Sequence, residues 1–204
     1  MIVIVNFGAG NLGSMLNMLK KIGQAAIVGN TAEDIEKAEK LILPGVGSFD
    51  AGIEKLNSSG LREILELQVI EKKVPILGIC LGLQLMTRKS EEGELNGLGW
   101  IDAETKKFLL DSNQYKIPHM GWNELKIEKK SKLFTGMEEQ ENRFYFVHSY
   151  HLVCSSKEDV LVSAHYGYDF TCGIERDNIM GVQFHPEKSH KFGMQLLRNF
   201  SEKL

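Results

Sequence analysis

The chain has 204 residues, 43% of them apolar, which is enough for one sizeable core and leads us to expect a single domain spanning residues 1–204. Lys and Arg total 24 against 27 Asp and Glu, a formal net charge of −3, so no positive field exists to attract nucleic acid or anionic lipid, and neither is expected as a partner. No apolar run approaches the roughly 20 residues of a spanning helix, and Cys80, Cys154 and Cys172 are widely spaced with no CxxC pair. The expectation is a reducing, cytoplasmic setting without a disulfide framework or a thiolate zinc site.

The first 90 residues alternate short apolar runs with helical patterns. Met1–Asn6 reads as a buried strand rather than a leader, because it lacks a basic flank and a small-residue cleavage site. It is followed by the glycine-rich turn Phe7–Gly13 and a helix carrying Leu12, Leu16, Leu19 and Ile22 up to Gly23. Ala25–Val28 is a second strand, Thr31 with Asp34 three residues on marks a helix start, and Lys40–Leu43 is a third strand closed by Pro44 and Gly45. Helices are expected over Asp50–Leu56 and Leu61–Lys72, split by Asn57–Gly60. A fourth strand, Pro75–Ile79, leads into a helix over Leu81–Thr87. This alternation predicts a parallel sheet covered on both faces, with ligands bound at the carboxyl ends of its strands, in the loops after Asn6, Leu43 and Ile79.

Beyond about residue 95 the runs Arg143–Val147, Val160–Ala164, Thr171–Arg176 and Ile179–Phe184 are closely spaced and predict antiparallel pairing, with Asp177–Asn178 as a hairpin turn. Ser189–Phe200 closes the chain as an amphipathic helix. Phe144, Tyr145 and Phe146 read as core, and Pro118–Asn123 reads as a turn of unassigned purpose.

Gly78-Ile-Cys80-Leu-Gly82 places a cysteine at a strand-to-helix junction between two glycines, the arrangement of a nucleophile elbow with sulfur in place of oxygen. The sharp turn strains the backbone at the nucleophile, the glycines admit neighbouring backbone, and the following helix start favours a thiolate. A thiolate requires an imidazole to manage its proton and a third group to orient that imidazole. Of six histidines, only His185 ends an apolar run with a carboxylate two residues on, in His185-Pro186-Glu187. Cys80, His185 and Glu187 are therefore the candidate triad. Acyl transfer also needs backbone N–H donors for the developing oxyanion; Leu81 supplies one, and the loop Pro44-Gly45-Val46-Gly47-Ser48 is the natural source of another. His148 and His151, three apart on one expected strand, point to opposite faces and make a poor metal pair, so no metal and no cofactor are predicted. Gly8-Ala-Gly10-Asn-Leu-Gly13 is a literal G-x-G-x-x-G, which leaves a nucleotide-binding oxidoreductase open, although the second strand ends Val28-Gly29-Asn30 without the acidic residue that fingerprint needs. A non-catalytic regulator and a cysteine hydrolase of another substrate also remain open on these residues.

Gly78-Ile-Cys80-Leu-Gly82-Leu-Gln84, with Pro44-Gly45-Val46-Gly47 before it and His185-Pro186-Glu187 after it, resembles the class I, triad-type glutamine amidotransferases over nearly the whole chain. Gly8-Ala-Gly10-Asn11, Pro118–Asn123 and Tyr145–Tyr150 further resemble the branch comprising glutaminase subunits of imidazole glycerol phosphate synthases. The resemblance implies a flavodoxin-like α/β fold, a mostly parallel central sheet flanked by helices with an antiparallel extension. It implies that Cys80 attacks the side-chain amide of L-glutamine, that His185 protonates the departing ammonia, and that water hydrolyses the glutamyl thioester. It also implies an oxyanion site at Gly45, Val46, Gly47 and Leu81, and glutamine held by Gln84 and the stretch His148, Ser149, Tyr150. One glutaminase domain leaves no second domain to use the ammonia, so the branch implies a heterodimer with a (β/α)₈ synthase/cyclase subunit of histidine biosynthesis. In that branch the partner stimulates the glutaminase, through a reoriented Val46 peptide. Second copies of the subunit serve amidotransferases of surface-polysaccharide sugars, the alternative acceptor.

Overall fold

Alternation in Ile2-Val-Ile-Val5 sends Ile2 and Ile4 to one face of a sheet and Val3 and Val5 to the other, and the two hydrophobic clusters of the molecule divide along that line. A computed structural model describes residues 1–137 and 142–204. The strands are β1 (Ile2–Val5), β2 (Ala26–Gly29), β3 (Lys40–Gly45), β4 (Ile76–Cys80), β5 (Lys89–Ser90), β6 (Ala103–Lys107), β7 (His119–Glu124), β8 (Lys126–Ile127), β9 (Arg143–His148), β10 (Tyr150–Cys154), β11 (Val160–Tyr166), β12 (Tyr168–Arg176) and β13 (Ile179–Val182). The helices are α1 (Leu12–Lys21), α2 (Ala32–Glu36), α3 (Phe49–Ser58), α4 (Arg62–Glu66, continuing as a π turn over Leu67–Glu71), α5 (Leu81–Leu85) and α6 (His190–Lys203).

The large sheet runs β2-β1-β3-β4-β13-β12-β10-β6-β5, and its first five strands are parallel. β12 and β10 continue it antiparallel, and β11 pairs with β12 and β8. One face packs Ile4, Ile42, Leu77 and Ile79 against Met15 and Leu19 of α1 and Leu196, Leu197 and Phe200 of α6. The other packs Val3, Val5, Leu41 and Leu43 against Ile53, Leu56, Leu65 and Leu83 of α3, α4 and α5. Full burial of each such side chain contributes about 1.5–3 kcal/mol. Thr31 begins α2 through a capping box with Asp34, whose carboxylate accepts from the Asn30 and Thr31 N–H groups.

Three expectations need correction. Ile179–Val182 joins the parallel core beside β4, in register Gly181↔Gly78, while pairing antiparallel with β12 on its other side. The strand that ends at the histidine therefore belongs to the same parallel block as the strand that ends at the cysteine. Arg143–His148 pairs not with those late strands but with Pro118–Asn123's segment, which is strand β7 rather than a turn, in a separate two-stranded sheet. His148 and His151 lie on different strands, β9 and β10, and both rings pack on Phe108. The parallel block brings the carboxyl ends of β3, β4 and β13 together at one edge, and β9 lies over that edge.

Candidate active site

β4 ends on Cys80 and α5 begins at the next residue, so the backbone reverses on a single residue, at φ +54° and ψ −113°. A non-glycine residue in such a conformation costs about 1–3 kcal/mol, and the surroundings must enforce it. They do so by close packing: a Cβ on Gly78 would lie 2.8 Å from Leu83 Cα, and a Cβ on Gly82 would lie 1.8 Å from the Leu43 carbonyl oxygen. Gly45, opposite Cys80 in the β3–β4 register, is equally flush, with its hypothetical Cβ 2.8 Å from Gly82 N. The loop after β3 is thereby held level with the cysteine. From there Val46 projects half-exposed and Gly47 turns back at φ +111°.

His185 follows the end of β13, and its backbone N–H donates to the Tyr145 carbonyl of β9 at 2.9 Å. Ser189 ties the same two segments, its hydroxyl donating to the His185 carbonyl at 2.6 Å and accepting from Tyr145 N–H at 3.0 Å. The imidazole is buried and its Nδ1–H donates to Glu187 Oε1 at 2.8 Å. The Glu187 side chain is 5% exposed, so this carboxylate is not a solvated one. Nε2 is buried, forms no hydrogen bond of normal geometry and has the Cys80 sulfur as its partner in the site, so it can carry a proton for the site. Burial works against charge on this ring, but hydrogen bonding and charge attraction from the Cys80 sulfur and the Glu187 carboxylate outweigh it and raise His185 to about 9.

Cys80, His185, Leu81, Val46 and Gly47 line one cavity of about 290 Å³. Gln84, His148, Ser149 and Tyr150 line it too, so the structure brings together the residues expected to hold the nucleophile, the oxyanion and the substrate. Glu187 stands behind His185, and Gly45 packs on Gly82 and Leu81 beside Cys80, so neither is on the wall. Both ring nitrogens of His148 are engaged by protein: Nδ1–H donates to the Tyr150 carbonyl at 2.7 Å, and Nε2 lies 2.9 Å from Nδ1 of His119. His119 Nε2 in turn faces the Asn123 amide at 3.3 Å. These partners assign the tautomers. Burial keeps both rings neutral, His148 at about 3 and His119 at about 4. His148 is therefore a positioned wall rather than a free donor.

Sequence reasoning missed several participants. Glu92 and Val147 line the cavity with Pro118. Gln183, fully buried, donates its side-chain N–H to Cys80 Sγ at 3.6 Å and accepts from Gln84 Nε2 at 2.9 Å. Strand parity gives no signal for it, because β13 ends at Val182 and both Gln183 and His185 lie beyond the regular strand. The Gly8–Gly13 turn does not reach the cavity. Lys55 donates to the Gly8 carbonyl, and Gly10, at φ +124°, packs against Pro44 beneath the oxyanion loop. Asn11 caps α1, and the carboxylate nearest the end of β2, Asp34, is spent in its capping box. Among the described residues no group of three or more His, Cys, Asp or Glu side chains is arranged to hold a metal, and no helix is long and apolar enough to cross a membrane.

A cysteine at a strained strand-to-helix elbow, an imidazole with a buried carboxylate behind it, and a glycine-flanked loop beside them are the parts that triad-type acyl transfer requires. The family "Glutamine amidotransferase class-I" matches residues 3–204, and the chain belongs to it. It is an enzyme of the amidotransferase/glutaminase class. Its sequence is 56% identical over 200 residues to "Imidazole glycerol phosphate synthase subunit HisH 2" of Methanococcus maripaludis, covering 98% of both chains. It is 52% identical over 202 residues to the HisH 2 subunit of Pseudomonas aeruginosa, covering 99% of both, and 46% identical over 203 residues to the HisH subunit of Leptospira borgpetersenii, covering 98% and 99%. In fold it matches a crystal structure of a glutamine amidotransferase with TM-score 0.75 at 19% identity, covering 98% and 97% of the two chains. The structure of PurLQS from Thermotoga maritima matches with TM-score 0.70 at 18% identity, covering 98% and 96%.

Proposed function

We propose that this chain is the glutaminase subunit of an imidazole glycerol phosphate synthase, a single domain that hydrolyses L-glutamine and passes the ammonia to a (β/α)₈ synthase/cyclase subunit in the cytoplasm. The observation that carries the reading is that Cys80 and His185, with Glu187 behind it, share one cavity with Val46, Gly47 and Leu81, the first residue of α5. Cys80 Sγ attacks Cδ of the glutamine side chain, and the oxyanion forms beside the Leu81 N–H and the Gly45–Gly47 loop. His185, held protonated by Glu187, gives its Nε2 proton to the leaving nitrogen, which departs as ammonia and leaves a glutamyl thioester on Cys80. Water then attacks the thioester, His185 Nε2 takes its proton, and glutamate is released. Gln84, Ser149 and Tyr150 line the same cavity and hold the amino and carboxylate groups of glutamine in this reading. Val46, exposed and followed by a glycine at positive φ, is placed for a peptide reorientation when a partner docks.

A second reading keeps this chemistry and changes the acceptor. The two relatives cited above at 56% and 52% identity carry the number 2 in their names, and a second glutaminase of this kind that serves a sugar amidotransferase is the alternative. Glutamate release by the chain alone, with the histidine-pathway cyclase, and with a sugar amidotransferase separates the readings. Stimulation by the cyclase that disappears in Cys80→Ala supports the first, and stimulation only by the sugar enzyme supports the second. Undiminished glutamine hydrolysis by Cys80→Ala overturns both.

A further inference from the structure

We infer that Gln183 is a positioning residue for the nucleophile: its side-chain amide holds Cys80 Sγ on one side and fixes the amide of Gln84 on the other. Gln183 does not line the cavity; it stands behind Cys80, with its backbone N–H bound to the Cys172 carbonyl at 2.8 Å. Its side chain is fully buried, where a Met or Leu of similar volume would avoid the cost of desolvating an amide. Both ends of that amide have a partner, and both partners belong to the proposed site. Nε2 lies 3.6 Å from Cys80 Sγ, and Oε1 accepts from Gln84 Nε2 at 2.9 Å.

The two contacts determine the orientation of the amide together. A thiolate can only accept, so with Sγ ionised Nε2 must face the sulfur; Oε1 then faces Gln84, whose amide must present its Nε2 in turn. In the observed orientation an N–H points at Sγ, and such a bond is worth roughly twice as much to a charged acceptor as to a neutral one. The same bond restrains the Sγ position in the narrow space between Gln183 and the cavity. Gln84 is oriented as a consequence: its Nε2 is committed to Gln183, so Oε1 is the atom left for a ligand, and an acceptor there suits the ammonium group of a free amino acid. This part rests on the glutaminase reading; the effect on the thiol does not.

The test is the rate of iodoacetamide alkylation of Cys80 as a function of pH, followed by mass spectrometry of the Cys80 peptide in the full chain, for wild type, Gln183→Met and Gln183→Glu. The titratable groups around the sulfur are His185 with Glu187 behind it, His148, Tyr150 and Glu92, and these are common to all three proteins. We expect alkylation at pH 7 to slow about tenfold in Gln183→Met, with the whole curve displaced to higher pH. Gln183→Glu should slow further, since a carboxylate replaces the donor. A folded Gln183→Met with the wild-type curve overturns the inference, because a filler of the core would leave the thiol untouched. Should both variants fail to fold, the wild-type chain decides: the Gln183 side-chain amide resonance should move on alkylation of Cys80, and a stationary resonance overturns the inference. None of these readouts uses glutamine. A Cys80→Ala chain that still hydrolyses glutamine therefore removes the glutaminase reading and leaves the thiol result standing, whereas an unshifted curve in an active chain does the reverse.

Discussion

Gly82 sits so close beneath Leu43 that a Cβ there would stand 1.8 Å from the Leu43 carbonyl oxygen. That contact locks the start of α5 against the end of β3, and so sets the distance between the cysteine and the loop beside it. Gly82→Ala should force the two backbones apart and destabilise the chain by about 3 kcal/mol, with loss of activity in whatever folds. Gly13, exposed inside α1 with nothing within 4 Å of a Cβ, is the matching control. Gly13→Ala should stabilise by about 0.5–1 kcal/mol through helix propensity. Urea unfolding of the pair checks both signs, and equal effects would disprove the packing account.

The three thiols differ in a way that a single labelling experiment reads. Burial pushes Cys154 up to about 12 and raises Cys172 further from reach of ionisation in the fully buried core. At pH 8 about one Cys154 in ten thousand is a thiolate. Cys80 opens onto the cavity, so brief iodoacetamide treatment of the native chain at pH 7–8 should modify Cys80 at least about 100-fold faster than either other cysteine. Uniform labelling, or none at Cys80, would favour a chain whose elbow is only a structural turn.

Glu187 reaches the reacting atoms only through His185. Glu187→Gln keeps the shape and removes the negative charge that holds the Nδ1 proton and helps keep the ring charged. Turnover with glutamine should fall about 10²-fold or more while KM changes little, since neither residue holds the ends of the substrate in the proposed mechanism. Steady-state kinetics of the complex reads the split, and a large rise in KM at constant kcat would assign Glu187 to binding instead.

Local chemistry made much of this site readable from the residues alone. The elbow is written in Gly78, Cys80 and Gly82 because backbone contacts under 3 Å admit no other residue, and β1–β4 are written in continuous apolar runs because both faces are covered. Pairing was legible only where it follows from crossover rules. Nothing in Ile179–Val182 itself says that it lies parallel to β4, since that partner is about a hundred residues away in sequence. β7 was hidden because its alternation runs the wrong way for a strand with an apolar inner face: Met120 and Trp122 face outward with Glu124, and the inward positions are His119, stacked on Phe146 and Tyr166, Gly121 and Asn123. Gln183 was invisible for a related reason, a polar residue in a run read as core, where burial is what gives its two hydrogen bonds their weight.

The buried histidines should give the chain a peaked stability profile. Burial holds His119 at about 4 and His148 at about 3, against an ordinary value of 6.5, so below pH 6.5 the unfolded chain takes up protons that the folded chain refuses. Stability therefore falls as pH drops from 6.5 towards 4, by about 1.4 kcal/mol per pH unit for each such histidine. His185 has the opposite sign: burial disfavours its charge, but Cys80 and Glu187 raise it to about 9, so the folded chain keeps a proton that the unfolded chain releases. That contribution is complete below pH 6.5 and is lost as pH rises through 9. The maximum should fall near pH 6.5–7, and His185→Gln should flatten the alkaline limb while leaving the acid limb in place. Urea midpoints at pH 5, 6.5 and 8.5 measure both limbs, and an alkaline limb that survives in His185→Gln would mean that its source is another group.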